Sequence, residues 1–361
     1  MTTDELIFFE KKDTKPIATG TGLIALDVII NGHNRNEPYY MTGGSCGNVI
    51  IILSYFGCHT YPLGRIKADN FSKFIINDLK KWGVNFSFLD FDEKASVPVI
   101  IEKVRQIENG KSTHSFSFFC PECNSFLPRY RSITIKQAIS SIENLPYADY
   151  CYIDRVSSGA LKFARLCKDR GAIIFFEPTK IDDTNLFNEF LKISDILKYS
   201  NEICITDSRI VHESNVPLII ETQGFSGLIY RLDNKGKDEK WHKMKAFQIK
   251  NVVDTAGAGD WCSAGIIHIF SSEKIKNINQ LDEKTLKRAL KFGQALAGAN
   301  CKFFGARGSM YALSKEEFRN LIADTLNHQD TPITDAVSTL KLKRPKKIKE
   351  NCPICNEPKR E

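Results

Sequence analysis

The segment Asp254-Thr255-Ala256-Gly257-Ala258-Gly259-Asp260 sets a carboxylate at each end of a run of small residues, directly before the apolar stretch Trp261 to Phe270. That stretch predicts a helix over 259–271. Small residues at the mouth of a helix leave backbone N–H groups uncovered. Those donors and the positive helix end suit an anion such as a transferring phosphoryl group. A carboxylate in the same turn would repel that anion unless it has work of its own. Asp260 is placed to take the proton of a hydroxyl as its oxygen attacks phosphorus. A glycine turn alone is usually only a turn; here two Asp residues, small residues and a helix start coincide.

A second pattern concerns metal. Cys120-Pro121-Glu122-Cys123-Asn124 and Cys352-Pro353-Ile354-Cys355-Asn356 are near copies far apart in the chain. Cys-x-x-Cys is the spacing at which a tight turn aims two thiolates at one ion, and two such turns complete a tetrahedral zinc site. The expected ligands of one structural zinc are Cys120, Cys123, Cys352 and Cys355. Two unrelated pairs, or a redox pair, form the alternative. The other seven cysteines (Cys46, Cys58, Cys151, Cys167, Cys204, Cys262 and Cys301) lie among apolar or small residues and read as core.

The elements that must position these groups alternate in type. Apolar, β-rich runs at 21–30, 172–176, 218–222 and 227–230 read as strands. Segments 48–56, 70–82, 161–169, 281–301 and 314–325 read as helices, the last opening with a capping box of Ser314 and Glu317. This predicts an α/β fold, a mostly parallel sheet flanked by helices. Segments 97–104 and 115–119 look like strands with no helix between them, and suggest a small β lid over about 97–135. The α/β body is expected over 1–330, with a basic tail over 331–361.

The chain has 361 residues and a formal charge of +7. The segment 341–361 alone holds eight Lys or Arg against three Glu, so the body is near neutral. A nucleic-acid role cannot be argued from such a body. The run Lys341 to Lys349 reads as a solvated linker, with nucleic acid the minority alternative because no aromatic residue interleaves it. No apolar run reaches the ~18 residues of a membrane span, and the first residues carry no signal-peptide pattern. A cytoplasmic protein without a membrane partner is the expectation.

The 254–260 segment resembles the second signature of the ribokinase-like (PfkB) family of carbohydrate and nucleoside kinases. Gly22 to Asp27 is similar to that family's first strand, which ends in a substrate-binding Asp. Gly43-Gly44-Ser45-Cys46-Gly47-Asn48 is similar to its di-glycine substrate loop. Leu63 to Asp69, Glu177-Pro178, Thr222 to Gly227 and Asn300 to Ala306 follow in the family's order. The resemblance implies a ribokinase-like fold and ATP-dependent phosphorylation of a hydroxymethyl group on a sugar or nucleoside. It implies Asp260 as general base, with amides of Ala256, Gly257, Ala258 and Gly259 as the anion hole. It puts Asp27, Gly43, Gly44 and Asn48 on the substrate; it puts Thr222, Gly224, Gly227, Asp254 and Thr255 at the nucleotide, with Mg2+ bridging the phosphates. A homodimer is compatible with it. Taken alone, Asp27 could cap a turn, Asn48 could be a helix N-cap, and Thr222 with its glycines could be a plain strand turn.

Two departures stand out. Cys204 falls where the family has a Glu near the magnesium, and Trp261 is bulkier than the family's residue. Cys204 supports an alternative: a catalytically weakened, ribokinase-like ligand-binding or scaffolding protein whose zinc-stabilised tail contacts a macromolecule.

Overall fold

A computed structural model describes residues 15–31, 39–107, 111–202, 211, 214–233 and 240–327. Thirteen strands are found among them: β1 (Ile17–Thr21), β2 (Ala25–Asn31), β3 (Tyr39–Gly43), β4 (His59–Ile66), β5 (Leu89–Phe91), β6 (Val99–Ile107), β7 (Lys111–Ser117), β8 (Tyr150–Ile153), β9 (Ile173–Phe176), β10 (Ile196–Ser200), β11 (Leu218–Thr222), β12 (Leu228–Leu232) and β13 (His242–Met244). The helices are α1 (Ser45–Tyr55), α2 (Asn70–Lys81), α3 (Ile135–Ile142), α4 (Ser158–Asp169), α5 (Thr184–Ile193), α6 (Ala258–Ser272), α7 (Glu283–Asn300), α8 (Gly308–Ala312) and α9 (Lys315–Asn327).

Nine strands form the central sheet in the order β13-β12-β11-β10-β9-β8-β1-β4-β5. Pairing is parallel from β11 through to β5, and antiparallel only at β11–β12 and β12–β13. The central strands are continuous apolar runs because both faces are covered. Alternate residues serve two cores: Tyr150, Tyr152, Ile173, Phe175, Leu218 and Ile220 enter one, whereas Cys151, Ile153, Ile174, Phe176 and Ile219 enter the other. Helices α1, α6 and α7 close the first core; α4 and α5 close the second.

Two sequence expectations change here. The run 21–30 is not one strand. Gly22 to Ile24 break it, so β1 joins the central sheet while β2 joins a separate four-stranded sheet, ordered β3-β2-β6-β7. Periodicity cannot show this, because both pieces are apolar and β-rich. The β-excursion expected at 97–135 therefore supplies only half of that second sheet; β2 and β3 supply the rest. The capping box at α9 is present, with Glu317 N–H donating to Ser314 Oγ at 3.2 Å and Ser314 N–H to Glu317 Oε2 at 2.7 Å. Six of the seven scattered cysteines are buried, and Cys204 lies outside the described residues. Among the described residues no helix is long and apolar enough to cross a membrane.

Candidate active site

Parallel strands β8, β9 and β10 end together, and the polar groups gather at that carboxyl edge, where open α/β sheets bind ligands. Asp154 follows β8, Glu177 follows β9, and Lys198 lies inside β10. The start of α6 comes down onto this edge.

Gly257 caps α6 with φ 73°, in the left-handed region that glycine tolerates. A Cβ there would lie 2.4 Å from the carbonyl oxygen of Ala306. The turn is pinned from both sides. Asp254 accepts from Ala256 N–H at 2.9 Å through one oxygen and from Gly305 N–H at 2.8 Å through the other. Trp261 is buried, and its indole N–H donates to Ala306 O at 2.9 Å. Its bulk thus locks the 300–309 turn against the small-residue segment. Asn300 adds to this lock by donating to Ala306 O at 3.1 Å and accepting from Ser309.

Asp260 stands in the first turn of α6 and is 8% exposed. Its Oδ2 accepts from Asn48 Nδ2 at 2.7 Å. Burial first, and the Glu177 carboxylate second, push its pKa up to about 8, against the pull of Asn48 and Lys198. Asn48 is not the N-cap of α1. Gly44 holds that place, and Asn48 lies one turn inside, where its side chain reaches α6.

Beneath Asp260 lies a buried ion pair. Lys198 Nζ binds Glu177 Oε1 and also donates to Gly259 O at 3.2 Å. Glu177 Oε2 accepts from Tyr152 OH at 3.0 Å and from Ser263 Oγ. Burial works against the charge on Lys198, but Glu177 holds its pKa above the usual lysine value. Sequence reading found Glu177 only by resemblance and missed Lys198, which looks like one more polar residue in a strand.

The substrate-side candidates converge as well. Asp27 lies in the middle of β2 rather than at the end of a central strand, paired in register with Met41 of β3. A Cβ on Gly43 would fall 1.8 Å from the Asp27 carboxylate, so only glycine leaves that carboxyl its place. Burial is the main cause of the rise of Asp27 to about 7, with Arg307 opposing it. Arg307 is fully buried. Its Nε donates to Asn48 Oδ1 at 3.0 Å, and its Nη2 to Thr42 O and to Asp78 Oδ2, the latter at 2.9 Å. Asp154, raised to about 6 chiefly by burial, accepts from the N–H groups of Leu23 at 2.9 Å and Cys46 at 3.3 Å. It thereby ties the β1–β2 link to α1.

Thr222, Gly224 and Gly227 occupy the turn between β11 and β12, farther along the same edge. Thr222 Oγ1 donates to Tyr199 O at 3.3 Å, and Gly227 packs on residues 244–246. Phe225 at the tip is exposed. Their own contacts are those of a strand turn.

The cysteine expectation is half visible. Cys120 and Cys123 lie in a tight turn: Cys120 N–H donates to Ser125 O and Asn124 N–H to Cys120 O, each at 2.9 Å, with Asn124 at φ 55°. Phe119 and Phe126 bridge its base. Cys352, Cys355 and the basic tail lie outside the described residues. Among those described, no cluster of three or more His, Cys, Asp or Glu is arranged to hold a metal.

Residues 22–312 match the pfkB family carbohydrate kinase profile. The chain is 25% identical over 296 residues to probable fructokinase-6, chloroplastic, of Arabidopsis thaliana, covering 76% of this chain and 72% of that protein. It is 23% identical to a fructokinase of Vibrio alginolyticus, covering 63% of this chain and 76% of the other. Among solved structures, aminoimidazole riboside kinase of Salmonella enterica, complexed with aminoimidazole riboside and an ATP analog, superposes with a TM-score of 0.63 at 16% identity, over 85% of this chain and 99% of that one. Arabidopsis thaliana ribokinase, complexed with ribose and ATP, gives 0.62 at 18% identity, over 87% and 99%. These likenesses establish the ribokinase-like α/β fold. The profile match runs from just after β1 to the end of α8 and includes the α6 turn, and the chain belongs to the pfkB family of carbohydrate kinases, phosphotransferases with an alcohol acceptor.

Proposed function

We propose that the protein transfers the γ-phosphoryl group of ATP to a hydroxymethyl group of a sugar or nucleoside, with Asp260 as general base. The observation that carries this reading is the placement of Asp260. One buried carboxylate stands in the first turn of α6, held by Asn48 from α1, beside a turn of small residues. A first-turn amide has no partner within its own helix. Of the amides of Ala256 to Gly259, Ala256 N–H is taken by Asp254 and Ala258 N–H by Thr255 O at 3.3 Å, so those of Gly257 and Gly259 suit the transferring phosphate. Asp27, Gly43, Gly44 and Asn48 hold the acceptor, and the second sheet serves as its lid. Thr222, Gly224 and Gly227 flank the nucleotide, with Asp254 and Thr255 fixing the anion turn.

Magnesium, when bound with ATP, neutralises charge on the phosphates. Glu177 is the carboxylate nearest in sequence logic to that task, but its oxygens are engaged by Lys198, Tyr152 and Ser263. It therefore fits contact through water rather than direct ligation. Lys198 and Glu177 fix the peptide of Gly259, and with it the direction of the α6 amides. Asn48 aims Asp260 at the hydroxyl whose proton it takes.

A structural zinc on Cys120, Cys123, Cys352 and Cys355 belongs to the same proposal. The compact turn at 120–124 supports it, because the backbone is already folded so that both cysteines leave one short loop. Such a site would tie the tail to the segment after β7. The alternative of a weakened binding module draws on Cys204, outside the described residues, and gains nothing from the intact α6 turn. ADP release from the purified chain with ATP, Mg2+ and a panel of sugars and nucleosides tests the reading. Turnover with at least one acceptor, lost in Asp260→Asn, is expected; no turnover with any of them overturns it.

A further inference from the structure

Glu102 lies in β6 directly opposite Ile29 of β2, and Asp27 is two residues back along β2. Residues opposite each other in a ladder, and residues two apart in a strand, share a face. Asp27, Ile29 and Glu102 thus point the same way. That way is toward the α6 turn, since Ile29 and Met41 pack against Gly305, whose N–H binds Asp254.

Glu102 is 0% exposed, and its carboxyl faces that of Asp254 within hydrogen-bonding reach, while no amide, hydroxyl or cationic donor meets its oxygens. The ionisable groups that bear on it are the carboxyls of Asp254 and Asp27. Burial, then those two neighbours, drive it well above the usual carboxylate range. The cation beside Asp27, Arg307, pairs with Asp78 and donates to Asn48 and Thr42 through Nε and Nη2, while its buried Nη1 meets no acceptor. Buried carboxyls that face one another and no cation weaken a fold. A leucine or glutamine would serve the second sheet better if packing were the only task.

We propose that Glu102, with Asp27, binds hydroxyl groups of the acceptor and makes the site selective for neutral polyhydroxylated acceptors over sugar acids. This rests on the kinase reading above only for the word acceptor; the binding preference stands on the carboxyls themselves. A hydroxyl both donates and accepts, so it satisfies a carboxyl in either protonation state. An acidic acceptor instead carries a charge that must be stripped of water to enter this buried site, where Arg307 is already paired with Asp78.

The test is calorimetric binding of D-fructose, D-ribose and D-gluconate to the full chain, beside ATP turnover. Wild type, Glu102→Gln and Glu102→Leu are compared, with melting curves for each. The expected result is a neutral sugar bound by wild type, weakened about tenfold or more in Glu102→Leu and less in Glu102→Gln. The KM for ATP stays unchanged and Tm is equal or higher; a purely structural role would lower Tm instead. D-gluconate binds more weakly than the neutral sugars. Sugar affinity unchanged in Glu102→Leu, D-gluconate bound as well as the neutral sugars, or no sugar bound at all overturns the proposal. Sugar binding that depends on Glu102 without any ATP turnover leaves it standing and removes the kinase reading instead.

Discussion

The side-chain amide of Asn48 donates to Asp260 Oδ2 at 2.7 Å, joining two residues 212 positions apart in the chain. The other end of the same amide accepts from Arg307 Nε at 3.0 Å. Asn48 is therefore fixed in orientation, its NH2 toward Asp260 and its oxygen toward Arg307. The orientation matters because a flipped amide would offer Asp260 an acceptor where it needs a donor.

The first prediction concerns pH. A base must be ionised to act, and burial with the Glu177 carboxylate raises Asp260 to about 8. At acid pH, kcat/KM should climb about tenfold per pH unit and level off near pH 8. Asn48→Ala removes a donor that favours the ionised form, so its limb should move to higher pH. Rates at subsaturating acceptor and saturating ATP, from pH 5 to 9, check both shifts.

Asp260→Asn should cost about 10²–10⁴ in kcat. It should also raise stability. The folded state favours the protonated acid between the usual carboxylate value and about 8, so the wild-type chain loses stability as pH rises through that window. The amide variant does not. Melting curves should separate by on the order of a few degrees at pH 8 and converge near pH 4. Equal melting temperatures at pH 8 would contradict the burial argument.

Removing Lys198 strands Glu177. Lys198→Met should destabilise the protein by about 3–5 kcal/mol, since an uncompensated charge is left inside. The double variant Lys198→Met with Glu177→Gln should regain most of that loss. Its kcat should remain low, because the tie from Lys198 to Gly259 O is still missing. Urea midpoints measured beside ATP turnover separate the two effects.

On the proposed reading, Gly43 serves the acceptor and Gly257 the transferring phosphate. A methyl on Gly43 collides with the Asp27 carboxylate, so Gly43→Ala should raise the acceptor KM and leave the ATP KM alone. A methyl on Gly257 meets the Ala306 carbonyl, and its left-handed backbone adds about 1–2 kcal/mol of strain. Gly257→Ala should therefore lower both kcat and Tm. Identical kinetic signatures in the two variants would refute the division of the site.

The zinc proposal predicts near-stoichiometric zinc in purified protein by elemental analysis. Cys120→Ser and Cys352→Ser should each release it, and a chelator should lower Tm in wild type only. Protein purified without zinc, or with zinc retained in both variants, rules out the four-cysteine site.

The α6 turn was legible because its chemistry is contiguous: Asp254, the small residues and Asp260 act through neighbouring backbone. Alternating elements likewise revealed the parallel sheet, since burial on both faces imposes unbroken apolar runs. The break at Gly22 was not legible, because strands for two different sheets obey the same propensities.

Sequence alone thus determined the family, the fold class and the small-residue turn that opens α6, all of which depend on local pattern and spacing. Only the tertiary structure decided which polar residues matter around them. Lys198 is unremarkable until Glu177 and Gly259 are brought to it. Arg307 gains its role from Asn48 and Asp78, the latter 229 positions away. Glu102 is an ordinary strand residue until the second sheet turns it inward beside Asp27 and Asp254. The reason is physical: the state of a charge is set by its burial and its partners, and both are properties of the packed chain.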